Sequence, residues 1–253
     1  MRIFRCELAM PTPDVSAERV LCLLDLTSLG EDDRPEQIEA LCTRAHARGA
    51  VAAVCVYPEH ISTARRALQG TTVKIATVVN FPDAGNDALR VARETRRALA
   101  AGADEIDVVM PWPAFCRGEI ETVRAVLKAT RETCSAGQPI KVILETGELA
   151  TPERIRAASE LGIECGMDFL KTSTGKVKVN ATLEAAAIML DVIAAHGGHC
   201  GFKAAGGIRT LADAEAYMAL ARDRLGDAWI TPAHFRIGAS ALYDALLPAL
   251  PTA

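Results

Sequence analysis

Two lysines at the ends of apolar runs set the first chemical question. Lys171 closes Met167-Asp168-Phe169-Leu170-Lys171 and is followed by Thr172-Ser173-Thr174-Gly175-Lys176. Lys203 closes Cys200-Gly201-Phe202-Lys203 and is followed by Ala204-Ala205-Gly206-Gly207. A charged amine at the end of a buried strand is costly. It becomes useful when burial and a neighbouring cation strip its proton and leave a nucleophile. Side chains alternate along a strand, so with Leu170 and Phe202 turned outward both lysines point into one interior. We read Lys171 as a Schiff-base lysine and Lys203 as its electrostatic partner. Asp107, inside Ile106-Asp107-Val108-Val109, is an acid flanked by apolar residues and a candidate for proton transfer.

Elements must hold these residues together. Apolar runs at 20–26, 51–57, 73–80, 105–110, 140–145, 167–171, 201–204 and 235–238 read as strands covered on both faces. Helices are expected between them, at 31–48, 61–68, 87–101, 120–134, 151–161, 182–195, 210–224 and 240–247. Their signals include Pro35 in a first turn, Thr151-Pro152 as cap and first position, and Gly102 as a stop. Leu89, Ala92 and Leu99 mark the apolar face expected for 87–101. Val123, Val126, Leu127 and Thr130 mark that of 120–134. Residues 1–16 read as an irregular lead-in with a helix start at 16–19, and 248–253 as an open tail. Strand-helix alternation over 253 residues predicts an α/β fold, one (β/α)8 barrel spanning 1–253 as a single domain. An open dinucleotide-binding sheet would need G-x-G-x-x-G after a strand, and none is present.

Such a barrel gathers chemistry at the C-terminal ends of its strands. The polar residues there are Asp25, Cys55, Asn80, Asp107, Glu145, Lys171 and Lys203, with Lys141 lower in its strand. Three consecutive strand-end loops carry glycines that let backbone N–H groups approach an anion: Gly175-Lys176, Ala205-Gly206-Gly207-Ile208-Arg209 and Gly238-Ala239-Ser240. They predict a phosphate site. Net charge is −4, which argues against a nucleic-acid partner. No apolar run is long enough to span a membrane, and the N-terminus has no signal-peptide pattern, so a cytoplasmic location is expected. The eight cysteines form no C-x-x-C pair and read as reduced, several of them (Cys22, Cys55, Cys200) within apolar runs. His196 and His199 lack a third ligand, and Glu31-Asp32-Asp33 reads as helix-start charge.

Several segments closely resemble deoxyribose-phosphate aldolases. They are Leu24-Asp25-Leu26-Thr27-Ser28-Leu29, Val54-Cys55-Val56-Tyr57-Pro58, Val79-Asn80-Phe81-Pro82, Gly102-Ala103-Asp104-Glu105-Ile106-Asp107-Val108-Val109 and Lys141-Val142-Ile143-Leu144-Glu145-Thr146-Gly147-Glu148-Leu149, with the two lysine motifs above. The resemblance runs in order from about residue 20 to 247. It implies a class I aldolase that reversibly cleaves 2-deoxy-D-ribose 5-phosphate to D-glyceraldehyde 3-phosphate and acetaldehyde, in deoxyribose phosphate catabolism, with no metal and no cofactor. Lys171 matches the family's Schiff-base lysine, Lys203 the lysine that perturbs it, and Asp107 the proton-transfer acid. Gly175, Lys176, Gly206, Gly207, Arg209, Gly238 and Ser240 fall where the family binds phosphate. Asp25, Thr27, Cys55, Lys141 and Thr172 are expected beside the substrate. Partners would be phosphosugar and aldehyde substrates and a second copy of the chain, as a homo-oligomer, commonly a dimer.

Three positions depart from the family. Ala204 stands where the family has Pro, which predicts a looser loop. Ala241 stands where a second serine often follows Gly-Ala-Ser, which removes a hydroxyl from the phosphate site. The chain ends Pro251-Thr252-Ala253 where some members have a tyrosine, so water is expected in its place. Two other readings are open to the residues alone: a phosphosugar isomerase or lyase on the same barrel without a covalent step, and a non-catalytic phosphosugar-binding protein. Neither needs the paired lysines with Asp107.

Overall fold

Side chains alternate along each strand between a face that meets the helices and a face that meets the barrel interior. The computed structural model describes residues 16–250. Its strands are β1 Leu24–Thr27, β2 Ala53–Val56, β3 Lys74–Val79, β4 Glu105–Val109, β5 Ile140–Ile143, β6 Phe169–Lys171, β7 Gly201–Ala205 and β8 Phe235–Ala239. They pair in parallel, each with its chain neighbour, and β8 closes on β1. The helices are α1 Ala17–Cys22, α2 Pro35–Ala47, α3 Ile61–Ala67, α4 Ala88–Ala101, α5 Trp112–Cys116, α6 Ile120–Thr133, α7 Thr146–Leu149, α8 Pro152–Glu164, α9 Leu183–Ala195, α10 Leu211–Leu225 and α11 Leu242–Leu246. The fold is the expected (β/α)8 barrel.

The main core lies between barrel and helices. It takes the outward residues of the strands, among them Leu24, Leu26, Ile106, Val108, Leu170, Phe202 and Ile237, and packs them against the helices. The inward residues are the alternate set. On β2 and β3 they are small, Ala53, Cys55, Ala76 and Val78, and form their own cluster. Elsewhere they include Asp25, Glu105, Asp107, Lys141, Lys171, Lys203 and Arg236, all buried, with Val109 and Ile143 in a further apolar cluster. Small residues on one wall leave the volume that long charged side chains from the other walls fill.

Several expectations from the sequence shift. Residues 20–22 are helical, not strand: Ser16 caps α1 by accepting the Arg19 N–H, and the strand begins at Leu24. A continuous apolar run has no period of its own, so the serine cap decides. Cys22 is consequently exposed rather than in the core. The fifth strand stops at Ile143. Glu145 takes a left-handed backbone (φ 58°) and opens the short α7. The short α5 was not expected; Pro113 lies in its first turn, where no N–H donor is needed. Leu247–Ala249 form a 3-10 turn and Leu250 is buried, so the tail is docked through residue 250. The lead-in at 1–15 and residues 251–253 lie outside the described residues. Ala204 is a buried β7 residue paired with Ile237, so it extends the strand instead of loosening a loop.

The two helix faces fare differently. In α6, Val123, Val126, Leu127 and Thr130 are buried as expected. In α4 the buried positions are Val91, Thr95 and Ala98, and Leu89 is 72% exposed. Asp87 caps α4 through the Arg90 N–H and sets the rotation that puts Leu89 in water. Leu89→Ser should therefore change stability by no more than about 0.5 kcal/mol. Val91→Ala should cost about 2 kcal/mol. Urea unfolding of the two variants reads this, and equal losses would refute the observed helix rotation.

Candidate active site

The charged interior is built strand by strand. Arg236, on the inward face of β8, donates from Nη1 to Asp25 Oδ1 on β1 (2.7 Å) and from Nη2 to Glu105 Oε1 on β4 (2.8 Å). Lys141 on β5 donates to Glu105 Oε2 (2.7 Å) and to Asp107 Oδ1 (2.8 Å). Lys203 on β7 donates to Asp25 Oδ2 (2.5 Å) and Asp107 Oδ2 (2.8 Å). Lys171 on β6 donates to the same Asp107 Oδ2 (2.8 Å). Parallel pairing explains the convergence: Lys171 is level with Lys203 and Lys203 with Arg236, while Asp107 is level with Lys141. Both lysines singled out in the sequence thus share one carboxylate oxygen.

Each group's charge follows from what it touches. Burial pushes the Lys171 amine below its ordinary value; Asp107 opposes this, and Lys203 pushes it down further. Burial also disfavours charge on Lys203, but Asp107 and Asp25 outweigh it and raise its pKa. Lys141 is raised in the same way, against burial, by Asp107 and Glu105. For Asp107, burial alone would favour the neutral acid. Lys141, Lys171 and Lys203 instead hold it well below the usual carboxylate range. Burial would likewise raise Asp25, and Lys203, Arg236 and Lys141 together hold it low. The arrangement keeps Lys203 and Lys141 charged and makes Lys171 the easiest of the three to neutralise.

Lys171 is also the interior amine, among the described residues, that lines a cavity of about 300 Å³ at the barrel mouth. The cavity wall continues through Thr27, Gly175, Lys176, Gly206, Gly207, Arg209, Gly238 and Ser240, so the three glycine loops do converge. Gly206 and Gly207 have successive positive φ values (89° and 90°), which lets that loop turn its backbone without a Cβ penalty. The 15-residue helix α10 begins just after, capped by Thr210. Gly238 has a second reason to lack a side chain: a Cβ there would stand 3.0 Å from Lys203 Cε. Lys176 donates to Leu29 O (2.7 Å) and sits above the Tyr57 ring.

The remaining expected residues are placed differently. Asp25, Asp107, Lys141 and Lys203 are fully buried and do not line the cavity. Thr172 spends its hydroxyl on β7, accepting the Ala205 N–H (3.0 Å) and donating to Ala205 O (3.2 Å), so it ties strand ends together. Cys55 is fully buried in the small-residue wall, and burial pushes its thiol up. Glu145 grips the loop after β6, accepting from Thr174 Oγ1 (2.6 Å) and Thr174 N (3.2 Å), and burial raises its pKa against those bonds. Asn80 ties the β3 end to Gly85 O and Val109 O. Ala241 lines the cavity without a hydroxyl. His196 is turned to Val192 O. Among the described residues no group of three or more His, Cys, Asp or Glu could hold a metal ion.

Glu105 and Arg236 belong to the interior network and were not singled out from the sequence. The signal available was period two: Glu105 shares the face of Asp107, and Arg236 that of Gly238.

Residues 19–245 match the family described as DeoC/LacD family aldolase. A curated relative, the deoxyribose-phosphate aldolase of Agrobacterium fabrum, is 48% identical over 240 residues, covering 94% of this chain and 93% of that protein. Among solved structures, a Coccidioides immitis protein assigned as a deoxyribose-phosphate aldolase aligns with TM-score 0.81 at 30% identity, covering 92% of this chain and 87% of that one. The deoxyribose phosphate aldolase of Aeropyrum pernix, described as having a unique tetrameric structure, aligns with TM-score 0.73 at 24% identity over 92% of this chain and 91% of that one. At that identity the likeness concerns the fold.

The network makes stability depend on acid. The folded pKa values of Asp25 and Asp107 lie below their unfolded values of about 3.9, so their ionised forms stabilise the fold above about pH 4. That contribution is lost as pH falls through the lower folded values. Asp25→Asn should cost about 3–5 kcal/mol at neutral pH, because Arg236 and Lys203 lose a buried partner. The gap to the parent protein should narrow below about pH 4. Denaturant unfolding across a pH series measures both, and parallel curves down to the acid limit would contradict this account.

Proposed function

The chain belongs to the DeoC/LacD family of aldolases, and on that premise we propose that its barrel mouth reversibly cleaves 2-deoxy-D-ribose 5-phosphate through an imine on Lys171. The observation that carries the reading is the position of Lys171: an amine with a depressed pKa, facing the cavity, with glycine loops opposite. The products are D-glyceraldehyde 3-phosphate and acetaldehyde, which places the reaction in deoxyribose phosphate catabolism. A cytoplasmic location goes with that role. No described helix is long and apolar enough to cross a membrane.

The neutral amine attacks C1 of the open-chain sugar, and the carbinolamine loses water to give an iminium. Removal of the C3 hydroxyl proton then breaks the C2–C3 bond, with the electron pair drawn toward the iminium. Glyceraldehyde 3-phosphate leaves, and an enamine stays on Lys171. Protonation at C2 and addition of water release acetaldehyde and restore the amine. Asp107 and Lys203 carry these protons through water. Asp107 alone is a weak base while the Lys141 and Lys203 ammonium groups hold it low, so the exchange runs through the Lys203–Asp107 pair. The phosphate is held by backbone N–H groups of the loops at Gly175, Gly207 and Ser240, with Lys176 and Arg209 adding charge. The Aeropyrum pernix relative is described as a tetramer. For this chain we propose a homo-oligomer, a dimer first, which light scattering of the eluting protein would read as a single-chain mass if wrong.

Incubation with acetaldehyde and borohydride, followed by peptide mass spectrometry, should place a reduced adduct on Lys171. Lys171→Ala should lose that adduct and nearly all turnover. Asp107→Asn should bind substrate yet turn over slowly, by about 10²–10⁴-fold, the range for a lost proton-transfer group. Lys203→Leu should form some imine, with lower kcat and a higher apparent amine pKa. Deoxyribose without its phosphate should be a much poorer substrate by kcat/KM, and equal values would remove the phosphate site from the proposal. An adduct on Lys203 or Lys141 would reassign the roles. Loss of activity in EDTA with no adduct at all would end the covalent reading.

A further inference from the structure

The interior bonds form a closed circuit. Going round it, Arg236 meets Glu105, Glu105 meets Lys141, and Lys141 meets Asp107. Asp107 then meets Lys203, Lys203 meets Asp25, and Asp25 returns to Arg236. Cation and anion alternate at every step, so the circuit is neutral when all its members are ionised. Lys171 stands outside it, attached only through Asp107.

We propose that Arg236 and Glu105, which do not line the mouth cavity, are positioning residues that set the protonation state of Lys171 by closing a neutral ring of alternating charge around Asp107. The inference rests on the reading of Lys171 as the imine-forming amine. With the ring neutral, a proton on Lys171 is a surplus charge in a buried site, and the surplus is expelled by leaving the amine neutral. Arginine suits the closing position because it does not deprotonate, and its planar fork spans two carboxylates. A lysine there could itself take the role of the neutral cation. The fork is aimed by Pro232 O, which accepts from Nε (2.5 Å), and by the Phe169 ring beneath it.

The groups that face Lys171 leave it as the site that answers to the ring. Asp107 and Lys203 touch the ring and Lys171 alike. Cys55 on β2 is a neutral thiol, and β3 offers Ala76 and Val78, with Lys74 exposed at the start of the strand. Glu145, past β5, is directed at Thr174, and Lys176 at Leu29 O. Lys203 holds two carboxylates and Lys141 three, with Asp25 at 3.8 Å, whereas Lys171 holds one. A change in the ring's charge is therefore met first at Lys171.

The test gives opposite signs. Acetaldehyde is trapped with cyanoborohydride across neutral to alkaline pH, and the adduct on Lys171 is followed by mass; the free amine forms the imine, so the midpoint of the rising limb reports its apparent pKa. Arg236→Met leaves the ring one positive charge short, so Lys171 should keep its proton and the midpoint should rise by about one pH unit. Glu105→Gln leaves the ring one positive charge over, and the midpoint should fall by a similar amount. The double variant Arg236→Met with Glu105→Gln restores neutrality and should return the midpoint to that of the parent protein. If Arg236→Met fails to fold, the downward shift in Glu105→Gln and its reversal in the double variant decide the matter. Shifts in the same direction, or none while adduct still forms, would overturn the ring. A parent protein that forms no adduct on Lys171 would overturn the proposed function instead.

Discussion

A barrel interior closed to water cannot hold unpaired charge, and the rest of this structure is arranged around that constraint. An isolated buried ion costs several kcal/mol or more, so each carboxylate and ammonium inside must find opposite charge at hydrogen-bond distance. Here they do so by lying on neighbouring strands in register. Asp107 alone accepts from Lys141, Lys171 and Lys203. Such a network is not a source of net stability, since a well-packed apolar interior would serve as well or better. Stability comes from the outer layer of Leu, Ile, Val and Phe between strands and helices. The two layers divide the work: the outer holds the strands in place, and the inner uses their fixed register to hold charge.

Space is the second requirement. Four long cationic side chains can enter one barrel because Ala53, Cys55, Ala76 and Gly238 leave room. Gly238 links the interior to the mouth, since it yields room to Lys203 while its backbone lines the cavity. Above the charges, side chains that might have touched substrate instead build the loops. Thr172 clamps β6 to β7, and Glu145 fixes the turn through Thr174. The cavity is thus shaped largely by backbone and glycine, which suits an anion bound through N–H groups.

The sequence announced the barrel through strand-helix alternation and announced Lys171, Lys203 and Asp107 through charged residues within apolar runs. These signals are strong because each violates the ordinary preference of its surroundings. What stayed hidden had ordinary surroundings. Arg236 follows Phe235 at a strand start, where a basic residue reads as a solvated end, and Glu105 follows Gly102-Ala103-Asp104 as a loop acid would. Only the closing of the barrel reveals that both face inward. Residues 20–22 were misread because Val20, Leu21 and Cys22 suit helix and strand equally, and Leu89 because helix rotation depends on a cap and on packing that no single apolar residue specifies. Thr172 looked like a substrate contact by its place in the lysine motif. Its hydroxyl is instead spent on Ala205, a partner distant in sequence.

The carboxylates gathered around each cation then acquire a meaning. Arg236 sits at the closed end, where a permanent charge is needed and no exchange with substrate is possible. Lys203 is held between two carboxylates and Lys141 among three, which keep both ionised. Lys171 sits at the open end with a single carboxylate, and there a proton can leave to water. Lys171 thus has fewer carboxylate partners than any of the other three, and with them the weakest hold on its proton. A nucleophile generated this way needs no separate base beside it. The same barrel geometry that places the amine in the cavity also makes it the cheapest of the four cations to neutralise.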